Sequence, residues 1–150
     1  MANANEFLNK RVLKCTYDVA VNGGTDDTTY TLGYVPAGAI ITGGFGITRT
    51  DFNDGADEST TISIGYASTA AGLKAAVAGS VYNGYANKAF TLLAGVGTGA
   101  DAAQDTPAEL AVLIAAAYIV TAAATPITVT LSNDTNFTAG KMDIYIEYVL

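Results

Sequence analysis

The chain has 150 residues, half of them hydrophobic and only 14% charged, with 14 acidic against 7 basic side chains and a net charge of −7. Such a length suits one domain with one sizeable core, and the charged fraction lies well below the roughly 25% of an ordinary soluble domain. The acidic balance argues against nucleic acid as a partner, and the absence of histidine with a single cysteine excludes Ser-His-Asp and Cys-His mechanisms and zinc sites built on those residues.

Residues 1–11 read as a polar N-terminal arm anchored by Phe7 and Leu8, with Lys10, Arg11 and Lys14 as the densest basic group. Residues 12–150 read as one domain. The start lacks a positive region followed by an apolar core, so no secretory signal is read there. The longest apolar run, Leu110 to Val120, is about 11 residues, whereas a membrane span needs roughly 20.

Val12 to Val21 alternates, with Cys15, Tyr17, Val19 and Val21 on one side, and reads as a strand with Cys15 as a buried structural thiol. Asn22 to Asp27 has the chemistry of a turn. Thr28 to Val35 is β-branched and aromatic, hence a second strand, ended by Pro36. Ala39 to Thr50 places Ile41, Phe45 and Ile47 in phase, and its glycines suggest a bulge, a bend or close backbone packing.

Asp51 to Glu58 is an acidic loop, and Ser59 to Ala67 a strand with Ile62, Ile64 and Tyr66 inward. Thr69 to Ala78 is alanine-rich with Leu73 and Val77 four apart, which suggests a short surface helix capped by Gly79. Asn83-Gly84 is a turn flanked by Tyr82 and Tyr85. Ala89 to Ala94 is a short strand, and Gly95 to Thr106 a glycine-rich loop without the Gly-Lys-Ser/Thr ending of a phosphate loop.

Pro107 to Thr125 carries two opposed signals. Thr106-Pro107-Ala108-Glu109 fits a helix start, whereas Val112, Ile114, Ile119 and Val120 are β-branched; strands over Glu109 to Ile114 and Tyr118 to Thr121 are the preferred reading, helix the alternative. Ile127 to Ser132 alternates. Lys141 to Leu150 alternates most cleanly, with Met142, Ile144, Ile146, Tyr148 and Leu150 on one face against Lys141, Asp143, Tyr145, Glu147 and Val149. About eight strands with turn signals between them, and at most one or two short helices, make an all-β, jelly-roll-like antiparallel sandwich.

The one site-like constellation is Asp51, Asn53, Asp54, Asp57 and Glu58. Oxygen ligands at short spacing can hold calcium, but glycine falls at the fifth position and not the sixth of an EF-hand loop, and a solvated hairpin loop is the plainer reading. The same acids could supply a glycosidase pair, as could those of any acidic β-protein. Tyr82 and Tyr85, flanking a turn, could form a sugar-stacking or protein-contact patch.

Two stretches are familiar in combination: Tyr30-Thr31-Leu32-Gly33-Tyr34-Val35-Pro36-Ala37-Gly38-Ala39-Ile40-Ile41-Thr42, and Phe137-Thr138-Ala139-Gly140-Lys141 running into Ile144 to Val149, with Ile62-Ser63-Ile64-Gly65 between them. The order resembles small capsid decoration (cement) or head-associated structural proteins of tailed bacteriophages. Phe137 stands where leucine is usual in that pattern. The matching positions are scaffold positions, so no functional residue carries across.

The resemblance implies a jelly roll without enzyme activity or cofactor, a homotrimer on the outer capsid surface, made in the host cytoplasm, with the major capsid protein as partner and neither membrane nor nucleic acid. Candidate contact residues are Phe7, Leu8, Lys10, Arg11, Tyr82 and Tyr85. The alternative is a carbohydrate-binding jelly-roll module of a phage fibre or host-recognition appendage using Tyr82, Tyr85 and the acidic loop. The absence of tryptophan weakens that alternative.

Overall fold

The structure, a computed structural model, describes residues 10–55, 60–67, 69–83, 89–92, 119–132 and 135–150. Among them run nine strands: β1 (Arg11–Asp18), β2 (Thr29–Val35), β3 (Ile40–Asn53), β4 (Thr61–Tyr66), β5 (Thr69–Ala78), β6 (Ala89–Leu92), β7 (Ile119–Val120), β8 (Thr125–Ser132) and β9 (Ala139–Val149). One helical turn, α1 (Val19–Asn22), follows β1, and a 3-10 turn, Gly79–Tyr82, follows β5.

The strands form two antiparallel sheets, in the orders β1-β9-β3-β6 and β2-β8-β4-β5, with β7 paired to the start of β3. The pairs β1–β9, β2–β8, β3–β6 and β4–β5 nest like one long hairpin folded over on itself. That nesting is the winding of a jelly roll.

The last strand has the central place its alternation suggests. β9 pairs with β1 on one side and with β3 on the other. Met142, Ile144 and Ile146 are fully buried against Ile62, Ile64, Val129 and Leu131 of the facing sheet, but at the strand's end the expected faces are exchanged: Val149 is buried and Leu150 is 55% exposed. Each such aliphatic side chain contributes about 1.5–3 kcal/mol on burial, against roughly 0–1 kcal/mol for an exposed ion pair. The core, not the surface charge, therefore holds the sheets together. Cys15 belongs to that core, and burial pushes its thiol pKa up to about 11.

Three further segments depart from the sequence reading. The strand expected through Val21 ends at Asp18, whose carboxylate accepts from the Ala20 N–H at 3.0 Å and caps α1. Val21 is consequently turned out, 80% exposed. Second, Thr69–Ala78 is a strand, not a helix. A spacing of four residues keeps Leu73 and Val77 on one face of a strand as well as of a helix, and alanine's propensity advantage of under about 1 kcal/mol per residue loses to ladder pairing with β4.

The third departure lies in β3. A bulge between Ile41 and Gly43, with Gly43 at φ +151°, reverses the phase of the strand. Ile41 stays in the core, whereas Phe45 and Ile47 pair with Tyr145 and Asp143 on the outer face. Gly44 and Gly46 then point inward, and the Phe90 ring lies on Gly46 where a Cβ would stand. In the ambiguous segment, β7 falls within the expected strand Tyr118 to Thr121; Glu109 to Ile114 lies outside the described residues.

Candidate functional site

The connections between strands gather at the two ends of the sandwich. At one end, Phe137 N–H donates to Gly24 O at 2.8 Å and Thr138 N–H to Asn53 O at 2.7 Å, joining the β1–β2, β3–β4 and β8–β9 connections. At the other, Gly38 N–H donates to Thr121 O at 2.6 Å and Ala67 N–H to Pro126 O at 2.9 Å. The acidic loop belongs to the first end.

In that loop the side chains staple the backbone. Asn53 Oδ1 accepts from Gly55 N–H at 2.7 Å, which fits an Asx turn with Gly55 at φ +83°. Asp54 is buried and accepts from Thr60 N–H at 3.1 Å, while the Thr60 hydroxyl donates to Thr135 O at 2.7 Å. Asp51 is exposed on the last residues of β3. Asp57 and Glu58 lie outside the described residues. Among the described residues no three His, Cys, Asp or Glu side chains come together to hold a metal ion.

The tyrosine patch is corrected at Tyr82. Its side chain is fully buried, with ring centroids 4.9 Å from Phe90 and 6.2 Å from Phe52 in edge-to-face geometry. Those rings continue into Phe137, Tyr17 and Tyr30, an aromatic plug under the acidic end. Burial raises the Tyr82 pKa well above the ordinary phenol range. No local pattern marks this burial: Ser80 and Asn83 flank Val81-Tyr82, and the turn after Tyr82 suggests an outward ring. Tyr85, Phe7 and Leu8 lie outside the described residues.

Of the remaining contact candidates, Lys10 is exposed and its Nζ lies 3.1 Å from Glu147 Oε2. Arg11 is exposed opposite Tyr148 in the β1–β9 ladder.

The outer face of the β1-β9-β3 sheet holds a polar cluster that no sequence motif marks. Its centre is Asp143, buried among donors: Thr16 Oγ1 at 2.7 Å, Arg49 Nε at 2.9 Å and Lys14 Nζ at 3.2 Å. Burial alone would raise the Asp143 pKa, but the hydrogen bonds from Thr16, Arg49 and Lys14 outweigh it and hold the carboxyl below its usual range. One row along, Tyr145 stacks on Phe45 with centroids 4.7 Å apart, and Lys14 Nζ stands 5.7 Å from the tyrosine ring centroid. Lys141 pairs with Asp18 at 2.8 Å, a bond that lowers the Asp18 pKa. Arg49 and Asp143 are 94 positions apart, so only the ladder register could have revealed them.

This arrangement has the chemistry of a braced surface: one carboxylate holds donors from β1 and β3. The fold resembles a chain of the cyanophage Pam1 capsid asymmetric unit, at TM-score 0.62 and 17% identity over 95% of this chain and 85% of that one. It also resembles a chain of the acid-stable capsid structure of Helicobacter pylori bacteriophage KHP30, at TM-score 0.54 and 14% identity over 94% and 87%. At that identity the likeness concerns the fold. No protein-family model matches the chain, and no curated protein matches its sequence.

Proposed function

We propose that the chain is a structural protein of a phage virion, and specifically a capsid decoration (cement) protein that binds the outer surface of the head as a homotrimer and braces neighbouring major capsid subunits. The observation that carries this reading is the jelly roll shared, over almost the whole chain, with chains of two phage capsid structures. The high coverage on both sides means that those matched chains are themselves small, only slightly longer than this one. The low charge fraction adds support, since oligomers and assemblies bury weakly charged surfaces. A non-enzymatic role fits the same likeness to chains of phage capsid structures.

The test is to mix purified protein with capsids that lack it and to sediment the capsids. The reading expects co-sedimentation at saturable stoichiometry and a trimer mass in light scattering. Protein that stays in the supernatant at all concentrations would overturn it. The carbohydrate-binding alternative loses one of its two ring platforms, because Tyr82 is enclosed.

A further inference from the structure

We infer that the outer edge of β1 is a docking edge, which takes an extended segment of a capsid subunit as one more strand of the sheet. This rests on the capsid-binding reading above and names the element that makes the contact and the backbone chemistry of its partner.

Among the described residues, the edge strands are β1 and β6 in one sheet and β2 and β5 in the other. The outer side of an edge presents a row of N–H and C=O groups that no neighbouring strand pairs. Folded proteins commonly blunt such rows with bulges, short strands, proline or charge. Three of these four edges are blunted. β2 is bulged between Thr31 and Gly33 and runs into Pro36. β5 shifts register twice against β4. β6 has only four residues, and β7, which also pairs with β3, only two.

β1 is different. Its eight residues, Arg11 to Asp18, pair one for one with Tyr148 to Lys141 without a shift, and they include neither proline nor glycine. A regular ladder on one side leaves a regular row of backbone groups on the other. The polar side chains that could guard this row lean away from it, onto β9. Lys14 Nζ and Thr16 Oγ1 reach Asp143 at 3.2 and 2.7 Å, and Asp18 pairs with Lys141 at 2.8 Å. Arg11 stands only at the first residue. What the edge offers instead is apolar. Leu13 is turned toward Gly33 and is only half-buried, and Val12, on the opposite face by alternation, is 56% exposed.

These features define the occupant. A regular row of donors and acceptors is matched along its length by another extended backbone. The side chains of that segment would fall alternately beside Val12 on the outer face and beside Leu13 within, where an apolar residue completes the burial of Leu13. A second copy that offered its own β1 in antiparallel pairing would do so about a two-fold axis and close at two copies. The three-fold assembly proposed above therefore leaves this edge to a different chain.

The experiment places an ammonium on the edge with Val12→Lys, where a bound strand would have to cover it. Val21→Lys makes the same change at an exposed residue beyond the strand, and Thr31→Lys adds the same charge at the exposed edge of β2. Each variant is checked for native melting and oligomer mass, then titrated onto capsids lacking the protein. Val12→Lys should bind about tenfold weaker or worse, and the other two within about twofold of the parent. Hydrogen exchange of the parent with and without capsids gives a second readout: alternate amides of β1, those turned away from β9, should slow on binding. Val12→Lys that binds as the parent does, an equal loss in all three variants, or β1 exchange unchanged by capsids would overturn the docking edge while leaving capsid binding intact. A parent dimer that Val12→Lys separates would overturn it too, by making the occupant a second copy. If the parent itself does not bind, the capsid reading fails and the docking edge falls with it.

Discussion

The ring of Phe52 on β3 lies directly on Gly140 of β9, in the space a Cβ would take. Gly140 also holds φ +147°, a conformation that L side chains rarely adopt. The contact joins the aromatic plug to β9, which lies between β1 and β3 in its sheet. Gly140→Ala should therefore cost about 2 kcal/mol or more, from backbone strain and overpacking together. Urea unfolding measures it, and a variant within about 0.5 kcal/mol of the parent would mean that Phe52 moves aside freely.

Asp143 should make stability pH-dependent. Its folded pKa is lowered relative to an ordinary value of 3.8. Its contribution is thus fully present above the unfolded pKa and lost as pH falls through the folded one. Asp143→Asn should lose about 1–2 kcal/mol at neutral pH and show a shallower decline below pH 4. Parallel acid-unfolding curves for parent and variant would contradict the assignment.

Thr121 closes the end of the sandwich at the β2–β3 turn. Its hydroxyl lies 2.7 Å from Pro36 O and 3.0 Å from Ala39 O, and its backbone bonds Gly38 and Ala39. Thr121→Val keeps the shape and removes the hydroxyl, so it should destabilise by about 1–2 kcal/mol. Hydrogen exchange should rise at the amides of the 36–39 turn, where unchanged exchange would show that the backbone bonds suffice.

Ala67 turns the β4–β5 hairpin at φ +48°, where its Cβ is unfavourable. Ala67→Gly should stabilise by about 0.5–1 kcal/mol in thermal or urea unfolding, the reverse of glycine's usual effect in a strand. A loss of stability there would show that the methyl group packs more than it strains.

The fold was legible wherever period-two patterning was strong. β9 as far as Ile146 and the Cys15–Tyr17 stretch of β1 announce their buried faces in sequence, and the turn residues Asn22 to Gly24 and Pro36 to Gly38 mark where the chain reverses. Less was legible where tertiary pairing overrode a local signal. Alanine content hid β5, a one-residue bulge moved Phe45 and Ile47 to the outer face, and the Asn83 turn disguised the burial of Tyr82. The Asp143 cluster depends on three strands meeting in register, which no local pattern encodes.

Cryo-EM reconstruction of the virion that carries this chain tests the central claim most directly. The result expected is jelly-roll density on the outside of the head, repeated with the capsid lattice in groups of three. A head surface bare of such density, or the same fold found only in a tail fibre, would contradict it.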